Sequence, residues 1–370
     1  MKATCDRPKL LAAFQTAALV IPSRSPKPIL QNAKIAVQKE GTELLATDLE
    51  VGIRCKVSGV EVEQAGEVVL PGASINSILR ELTDERVSLE SDANSVVVRG
   101  GRSEFKLPTA PASEFPGVPE FDAEKFHVVP APLLREMIRR TVFATDVEST
   151  RYALGGVLLE IDKKGIALIA TDGRRLALML AEAHAHEGHT TEGATPVVPT
   201  KAMNLIERSL HGENTEVSLA VVDNKVLVRS EGSVISSVLL EGRFPRYQDV
   251  FPKSPHAKIE VVAGPLLSVV RQGAIVTSEE SRGVDFRFAD GQLTLESRAT
   301  DVGQSQVELP IAYDGEKVEI TFDPHYVIDF LRVLDPETTV TIELIDHESA
   351  AVFRTGDGYS YVVMPLTRER

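Results

Sequence analysis

The chain has no tryptophan, and aromatic side chains make up only 5% of its 370 residues. A protein that holds single-stranded nucleic acid by stacking bases needs exposed aromatic rings, so this class of binder is disfavoured. The two cysteines, Cys5 and Cys55, have neither metal-ligand nor redox spacing, and one disulfide could not hold together a chain of this length. These features indicate a reducing compartment, and we expect the cytoplasm.

Long apolar runs are also missing. No segment approaches the roughly 18 to 20 apolar residues that span a membrane, so we expect no membrane partner. The run LLAAFQTAALV (residues 10–20) resembles a secretory signal only faintly, because Gln15 and Thr16 interrupt it. Its apolar residues Leu10 and Phe14 instead share one helical face, which predicts an amphipathic helix.

Catalytic motifs are equally scarce, since no glycine-rich phosphate loop follows a strand-like run and no nucleophile elbow occurs. The one metal-like cluster is His184, His186 and His189, in the polar stretch AEAHAHEGHTTEG. An exposed loop is the simpler interpretation, because a zinc site needs rigidly held ligands. We predict no catalytic residue, no metal and no cofactor. A metal-binding or enzymatic scaffold that uses these three histidines remains the alternative.

What the sequence does contain is a long internal repeat. Around a shared Thr-Asp it reads LLATDLEVG, LIATDGRRL and SRATDVGQS, and the aspartates Asp48, Asp172 and Asp301 stand 124 and 129 residues apart. A period of this size is that of a whole domain. We predict three similar domains, at residues 1–124, 125–253 and 254–370. One Thr-Asp in each is best read as a turn that ends a strand, not as a catalytic acid.

Each repeat contains two amphipathic helical patterns among alternating, strand-like runs such as VSLESDANSVVVRG. The predicted helices cover residues 9–18, 74–82, 133–142, 201–210, 266–275 and 326–334. The fold class is therefore α+β, with two helices packed on antiparallel sheet in each domain. Pro-rich stretches at residues 115–124 and 244–255 are the predicted linkers, because proline there cannot continue a helix or a central strand.

The net charge of −14 alone argues against nucleic-acid binding, but the helical segments reverse the balance. They carry nine basic and four acidic side chains, so one set of surfaces can attract a polyanion although the chain is acidic. Solvated helix faces are the ordinary alternative. No recognition-helix or zinc-finger motif accompanies these cations, which favours sequence-independent contact with duplex phosphates.

Four motifs, in order along the chain, resemble the bacterial DNA polymerase III beta subunit, the replication sliding clamp family. They are PILQNAKI after Arg24, ATDGRRLAL from Ala170, EGRFPRYQDVFP from Glu241 and YVVMPL from Tyr361. The resemblance covers essentially the whole chain. It implies a processivity factor without catalytic activity: a homodimeric ring of three-domain chains that encircles duplex DNA. The implied partners are the replicative polymerase, the clamp loader and other proteins with a clamp-binding motif.

Simple geometry also favours two chains. Six helices side by side, at about 10 Å spacing, would leave a hole of only about 9 Å. Twelve helices would leave about 28 Å by the same arithmetic, which is enough for a duplex and water.

The resemblance and the helix charges together nominate three groups of residues. The DNA-binding candidates are Arg24, Arg80, Arg135, Arg139, Arg140, Lys201, Arg208 and Arg271. The dimer candidates are Phe105 and Leu107, which would meet Ile275 and Val276. The candidates for a partner-peptide cleft are Arg151, Leu154, Thr171, Gly173, Arg174, Arg175, Leu176, Pro245, Val250, Tyr326, Val362, Val363, Met364, Pro365 and Leu366.

Two positions depart from the family pattern. Arg174 stands where the family often has histidine, and Glu148 stands near a polar, DNA-facing position of the family. The acidic side chain makes a DNA contact at that point doubtful.

Overall fold

A computed structural model describes residues 1–92, 94–146, 148, 153–213, 215–252 and 254–366. The chain divides into two compact units. Unit 1 comprises Met1–Leu134, His184–His189 and Asn204–Leu239, and unit 2 comprises Arg135–Ala183, Thr190–Met203 and Leu240–Arg370. The three predicted domain ranges remain a prediction, because these units group the chain by its sheets and not by its sequence repeats.

The described part of unit 1 contains two antiparallel sheets, whose strands are numbered here in chain order. The five-stranded sheet has the order β5 (Val60–Gln64), β1 (Lys2–Asp6), β7 (Arg86–Ser91), β8 (Ser95–Gly100), β9 (Ser103–Pro108). The nine-stranded sheet has the order β14 (His184–His186), β10 (Phe126–Pro130), β16 (Glu216–Val222), β17 (Lys225–Ser230), β18 (Ser233–Val238), β4 (Val51–Val57), β3 (Gly41–Thr47), β2 (Asn32–Gln38), β6 (Gly66–Pro71).

The described part of unit 2 likewise contains two antiparallel sheets. The eight-stranded sheet has the order β15 (Val197–Pro199), β11 (Gly156–Ile161), β12 (Gly165–Thr171), β13 (Arg175–Glu182), β26 (Tyr359–Val363), β25 (Ala351–Arg354), β24 (Thr339–Leu344), β19 (Ala257–Val262). The four-stranded sheet has the order β22 (Gly303–Pro310), β21 (Gln292–Ala299), β20 (Val284–Ala289), β23 (Val318–Phe322).

Six α-helices occur in the described residues, and each lies within three residues of a predicted one. They are α1 (Arg7–Ala17), α2 (Gly72–Glu81), α3 (Ala131–Thr141), α4 (Thr200–Ser209), α5 (Ala263–Gly273) and α6 (Pro324–Arg332). Each begins earlier than its apolar stripe. For α1 and α6 the cause is an aspartate cap, since Asp6 accepts a hydrogen bond from the Lys9 amide and Asp323 accepts one from the His325 amide.

The helices bury one face each. In unit 1, α1 packs against α2 through stripes that include Phe14, Ile75 and Leu79, all at most 1% exposed. In unit 2, α5 packs against α6 and lies on β21 and β22. Helices on antiparallel sheets confirm the predicted α+β class. In the described residues no helix is long and apolar enough to cross a membrane.

The repeated Thr-Asp forms a turn at the end of a strand, as expected. Asp48 Oδ1, directly after β3, accepts hydrogen bonds from the amides of Glu50 at 3.0 Å and Val51 at 2.7 Å. Asp172 Oδ1, directly after β12, accepts them from the amides of Arg174 at 2.9 Å and Arg175 at 3.0 Å. Both carboxylates close an Asx turn and set the start of the next strand.

Leu49 is strained in the first of these turns. Its φ is +82°, whereas Gly173 holds the equivalent place in the second turn at +86°. A left-handed conformation costs a residue with a side chain about 1–2 kcal/mol, and Leu49 is 47% exposed, so it gains little from burial. We expect Leu49→Gly to raise the free energy of unfolding of unit 1 by about 1 kcal/mol. Urea unfolding followed by hydrogen exchange checks this, and a destabilised variant would mean that the leucine makes a contact worth more than the strain.

Candidate partner-peptide cleft and DNA-facing side chains

The floor of the candidate cleft lies in the eight-stranded sheet of unit 2. Leu176 on β13 pairs directly with Val362 on β26, so the two side chains share one face. They are 3% and 2% exposed, and they belong to one apolar cluster with Leu158 and Ile169. Leu154 is 6% exposed. These predicted cleft residues are therefore mostly core, and a ligand could touch only their outer surface.

The exposed part of the cleft comes from two other segments. Val250, at the end of the 3₁₀ turn Tyr247–Val250, is 40% exposed, and Met364, just beyond β26, is 44% exposed. Phe244, Tyr247 and Phe251 of the same linker pack half-buried on the cluster that contains Leu176 and Val362. The linker thus forms one rim and the tail another, with apolar atoms exposed on both.

Main-chain hydrogen bonds hold the tail beside the second Thr-Asp turn. The Met364 amide donates to the Arg174 carbonyl at 2.9 Å, which continues the β13–β26 ladder past its last pair, Arg175 with Val363. The Leu366 amide donates to the Thr321 carbonyl on β23 at 2.8 Å. Residues 364–366 therefore have a fixed path, with Pro365 and Leu366 half-buried.

Arg175 connects the second Thr-Asp turn to its neighbouring segments by hydrogen bonds. Its guanidinium donates to Asp172 at 3.0 Å, to Asp329 at 2.8 Å and to the Phe143 carbonyl at 2.9 Å. It also lies 4.7 Å from the centre of the Tyr326 ring. Because the guanidinium hydrogen bonds join the second Thr-Asp turn, α6 and Phe143, Arg175 holds the turn and α6 in position. Its guanidinium is already engaged with these protein groups, although the resemblance nominated Arg175 for the cleft.

Arg174 and Gly173 supply the exposed, polar edge of the cleft. The neighbouring Tyr326 hydroxyl of α6 raises the pKa of Arg174, so this exposed side chain stays a cation. A Cβ added to Gly173 would meet no atom within 4 Å, which leaves the turn open to a ligand. Thr171 is buried and donates to the Arg175 carbonyl at 2.6 Å. Arg151 lies outside the described residues.

The first repeat has the same Thr-Asp turn, but a side chain covers the surface that corresponds to the cleft floor. Gly52 and Ser236 pair there as Leu176 and Val362 do in the second repeat. A Cβ on Gly52 would lie 2.9 Å from Cγ1 of Val118, and Val118 of the first linker is only 4% exposed. The linker side chain thus occupies the space above the pair. Sequence patterns alone did not reveal this difference between the two repeats.

Most of the predicted DNA-binding cations are exposed, and all of these except Arg24 lie on an α-helix. They are Arg24, Arg80, Arg135, Arg139, Lys201, Arg208 and Arg271. Several share a second feature, since the last turns of α2 to α6 each hold at least one arginine. Cations in the last turn also stabilise the helix by interacting with its dipole. Their recurrence therefore has a local reason besides the attraction of a polyanion.

Arg140 is the exception, and its assignment to DNA is corrected. It is 6% exposed, its guanidinium binds Asp357 at 2.6 Å and Glu136 at 2.7 Å, and it lies over the Tyr359 ring. A side chain with these partners ties α3 to the β25–β26 hairpin. It follows Arg139 in the sequence, but consecutive residues of a helix point in directions about 100° apart, so Arg140 lies on the buried face while Arg139 is exposed. Glu148 is exposed, which keeps a DNA contact there doubtful.

The dimer candidates lie at two accessible places. Ile275 is 73% exposed, in the 3₁₀ turn Ala274–Val276 that follows α5, and Val276 is half-buried. Phe105 and Leu107 are half-buried on β9, which stands at one end of the five-stranded sheet. β22 stands at one end of the four-stranded sheet. An end strand presents unpaired backbone groups, so both strands are able to pair with another chain.

The histidine cluster does not form the expected loop, and the metal-binding alternative is not supported. His184 and His186 lie in β14, and His186 stacks on Phe126 with ring centres 4.4 Å apart. His189 is 4% exposed, and its Nδ1 lies 3.0 Å from Nδ1 of His127. The rings of His186 and His189 thus have separate partners, and no group of metal ligands occurs in the described ranges.

We expect the buried histidine pair to make the free energy of unfolding depend on pH. The Val221 amide donates to Nε2 of His189, so the neutral ring carries its proton on Nδ1 and donates it to His127. Burial, then the neighbouring His127 and Lys125, lowers the pKa of His189 below its usual 6.5. The contribution of neutral His189 to the free energy of unfolding is therefore complete above about pH 6.5. It is lost as the pH falls, by at most about 1.4 kcal/mol per pH unit.

We expect acidification from pH 7.5 to 5.5 to lower the urea midpoint of unit 1, and His189→Gln to flatten that dependence. His184→Gln, at an exposed position of the same segment, is the matched control. An unchanged slope in His189→Gln would assign the pH dependence to other groups.

Comparison with known proteins matches the chain, over nearly its whole length, to the family that the four sequence motifs resemble. The DNA polymerase III beta subunit family matches in three consecutive parts: its N-terminal domain at residues 1–119, its central domain at 128–246 and its C-terminal domain at 248–367. The beta sliding clamp of Pseudomonas putida is 31% identical, over 99% of this chain and 100% of that protein. The beta sliding clamp of Escherichia coli K12 is 29% identical, with the same coverage.

Solved structures agree. A sliding clamp of Pseudomonas aeruginosa bound to griselimycin is 29% identical, covers 100% of both chains and superposes with a TM-score of 0.92. Three tandem matches, full-length relatives and the same fold together place the chain in the DNA polymerase III beta subunit family, the beta sliding clamps.

Proposed function

We propose that the chain acts as a homodimeric ring that encircles duplex DNA and tethers the replicative polymerase to it. The observation that carries the proposal is the family match in three consecutive domains over nearly the whole chain. A ring linked around DNA stays attached without a tight contact, and a tethered polymerase meets the primer end at a very high effective concentration. This work requires no catalytic group, so the protein is a processivity factor and not an enzyme.

The exposed cations, all on helices except Arg24, support loose contact with the DNA backbone. Arg24, Arg80, Arg135, Arg139, Lys201, Arg208 and Arg271 are the candidates that remain once Arg140 is removed. Long, exposed arginine and lysine side chains reach phosphates directly or through water and carry no base preference. Weak, sequence-independent contacts of this kind let a ring move along the duplex while it remains linked to it.

Two-chain assembly is supported by the accessible groups at the sheet ends. Pairing of β9 with β22 of a second chain would satisfy the backbone groups of two end strands, and Ile275 would leave water in the same contact. Two such head-to-tail contacts, one at each junction between the two chains, close a ring with two seams.

Partner docking is assigned to the cleft built from the second Thr-Asp turn, the linker and the tail. The P. aeruginosa relative is bound to griselimycin in its crystal structure, which is consistent with a small peptide-like ligand on a clamp. Met364 suits such a site because its flexible side chain adapts to different ligands. The proposed partners are the polymerase, the clamp loader and other clamp-binding proteins, all in the cytoplasm.

Primer extension on primed circular DNA tests the function directly. With the polymerase and clamp loader of the same organism, the chain should lengthen products from short stretches to full circles in one binding event. Replacing Arg24 and Lys201 by alanine should reduce loading without changing the dimer, whereas Lys39→Ala, in the exposed β2–β3 turn, should have no effect. Products of equal length with and without the chain would contradict the proposal.

A further inference from the structure

The apolar surface of the cleft continues along β13 beyond the predicted cleft residues. Leu176, Leu178 and Leu180 lie at alternate positions of the strand and therefore on one face. Their exposure rises along the strand: Leu176 is 3% exposed, Leu178 is half-buried and Leu180 is 50% exposed. Leu178 and Leu180 thus extend the apolar face of Leu176 along the strand towards solvent.

Leu180 opens into a groove of about 930 Å³. The β11–β12 turn, the end of β13 and residues 190–194 form its walls. Ala167 and Tyr247 line this groove and also belong to the apolar cluster of Leu176 and Val362. The groove and the cleft floor therefore share two side chains and lie next to each other.

Tyr247 forms the shared wall. Its hydroxyl donates to Oε2 of Glu160 at 2.6 Å, which fixes the ring across β11 from the linker side. Its ring packs on the cluster beneath the cleft. A ligand that extends from the cleft to Leu180 would therefore pass this ring.

The charges around the groove indicate what it would accept. Its lining includes the acids Glu160, Asp162, Glu182 and Glu192 but only two cations, Lys163 and Lys164. An apolar floor inside an acidic rim complements an apolar side chain with a basic neighbour.

We propose that this groove binds a second apolar residue of the same extended partner segment that fills the cleft, flanked by a basic residue. The inference rests on the proposed partner cleft. Leu176 and Leu180 are four residues apart on a strand, or about 13 Å. An extended peptide covers that span in four residues, so the second apolar residue lies about four to six positions from the one that fills the cleft.

Site-specific photo-crosslinking to the polymerase tests this in the full-length protein. Benzoylphenylalanine replaces Val250 at the cleft rim, Leu180 in the groove, or Val302, which is also 50% exposed but lies in the β21–β22 turn. We expect crosslinks from positions 250 and 180 to map within about six residues of each other on the polymerase, and none from position 302.

The outcomes separate the two proposals. A crosslink from position 250 without one from position 180, or one from 180 to a distant polymerase segment, overturns the groove and leaves the cleft intact. No crosslink from position 250 overturns the cleft itself. In parallel, Leu180→Ser should weaken polymerase binding about tenfold, and Val302→Ser should leave it within twofold. Equal affinities of the two variants would also contradict the groove.

Discussion

A chain that ends at Val363 should lose stimulation of its polymerase almost completely while it still forms the dimer. The truncation removes the Met364 amide that donates to Arg174 and the Leu366 amide that donates to Thr321. It also removes the apolar side chain of Met364, which is 44% exposed at the cleft rim. Loss of an apolar anchor that becomes buried in the complex costs about 2 kcal/mol, or about 30-fold in affinity.

The matched control is a chain that ends at Leu366, which keeps both hydrogen bonds and should behave as the full-length protein. Polymerase binding and product length are measured for the three chains, with light scattering to verify the dimer. Full stimulation by the chain that ends at Val363 would move the partner site away from the tail, and Met364 would then be only a covering of the core.

Ile275→Asp should convert the dimer into monomers at micromolar concentration. Ile275 is 73% exposed in the isolated chain, so it contributes little to the fold of unit 2. Burial of an isoleucine in each of two seams stabilises a dimer by about 1.5–3 kcal/mol per seam, and a buried, unpaired carboxylate costs more. Light scattering across a dilution series measures the change in dissociation constant.

Val222→Asp is the control for a charge at an exposed apolar position, since Val222 is 37% exposed at the end of β16, a strand not assigned to the seam, and this variant should remain dimeric. If Ile275→Asp stays dimeric at the same dilution, the seam does not include the turn after α5. A second variant, Leu107→Asp on β9, then shows whether the end of the five-stranded sheet still takes part.

The helices were predictable from sequence because each buries one stripe with a 3.6-residue period. Their first turns were not, since caps such as Asp6 and Asp323 set them, and a stripe of apolar residues carries no information about a cap. Arg140 shows the same limit for charge. Its neighbour Arg139 is exposed, yet Arg140 is buried with Asp357, a partner 217 residues away.

The cleft illustrates what motif resemblance can and cannot provide. It nominated Leu176, Val362 and Met364 together, and the sheet does bring the first two into direct register. The resemblance did not distinguish the buried floor from the exposed rim. The exposure of each side chain depends on which neighbouring segments cover it, and a motif does not contain that information. His189 was also beyond reach, since its partner His127 lies 62 residues away and its spacing with His184 and His186 suggested a different chemistry.

Retention on circular and linearised DNA tests the central claim most directly. The chain is loaded by its clamp loader onto nicked circular duplex, and gel filtration at high salt separates bound from free protein. We predict that the ring stays on the circle at salt concentrations that remove simple phosphate binders, and that a single restriction cut releases it. Equal retention on circular and linear DNA, or loss from both as salt rises, would contradict encirclement.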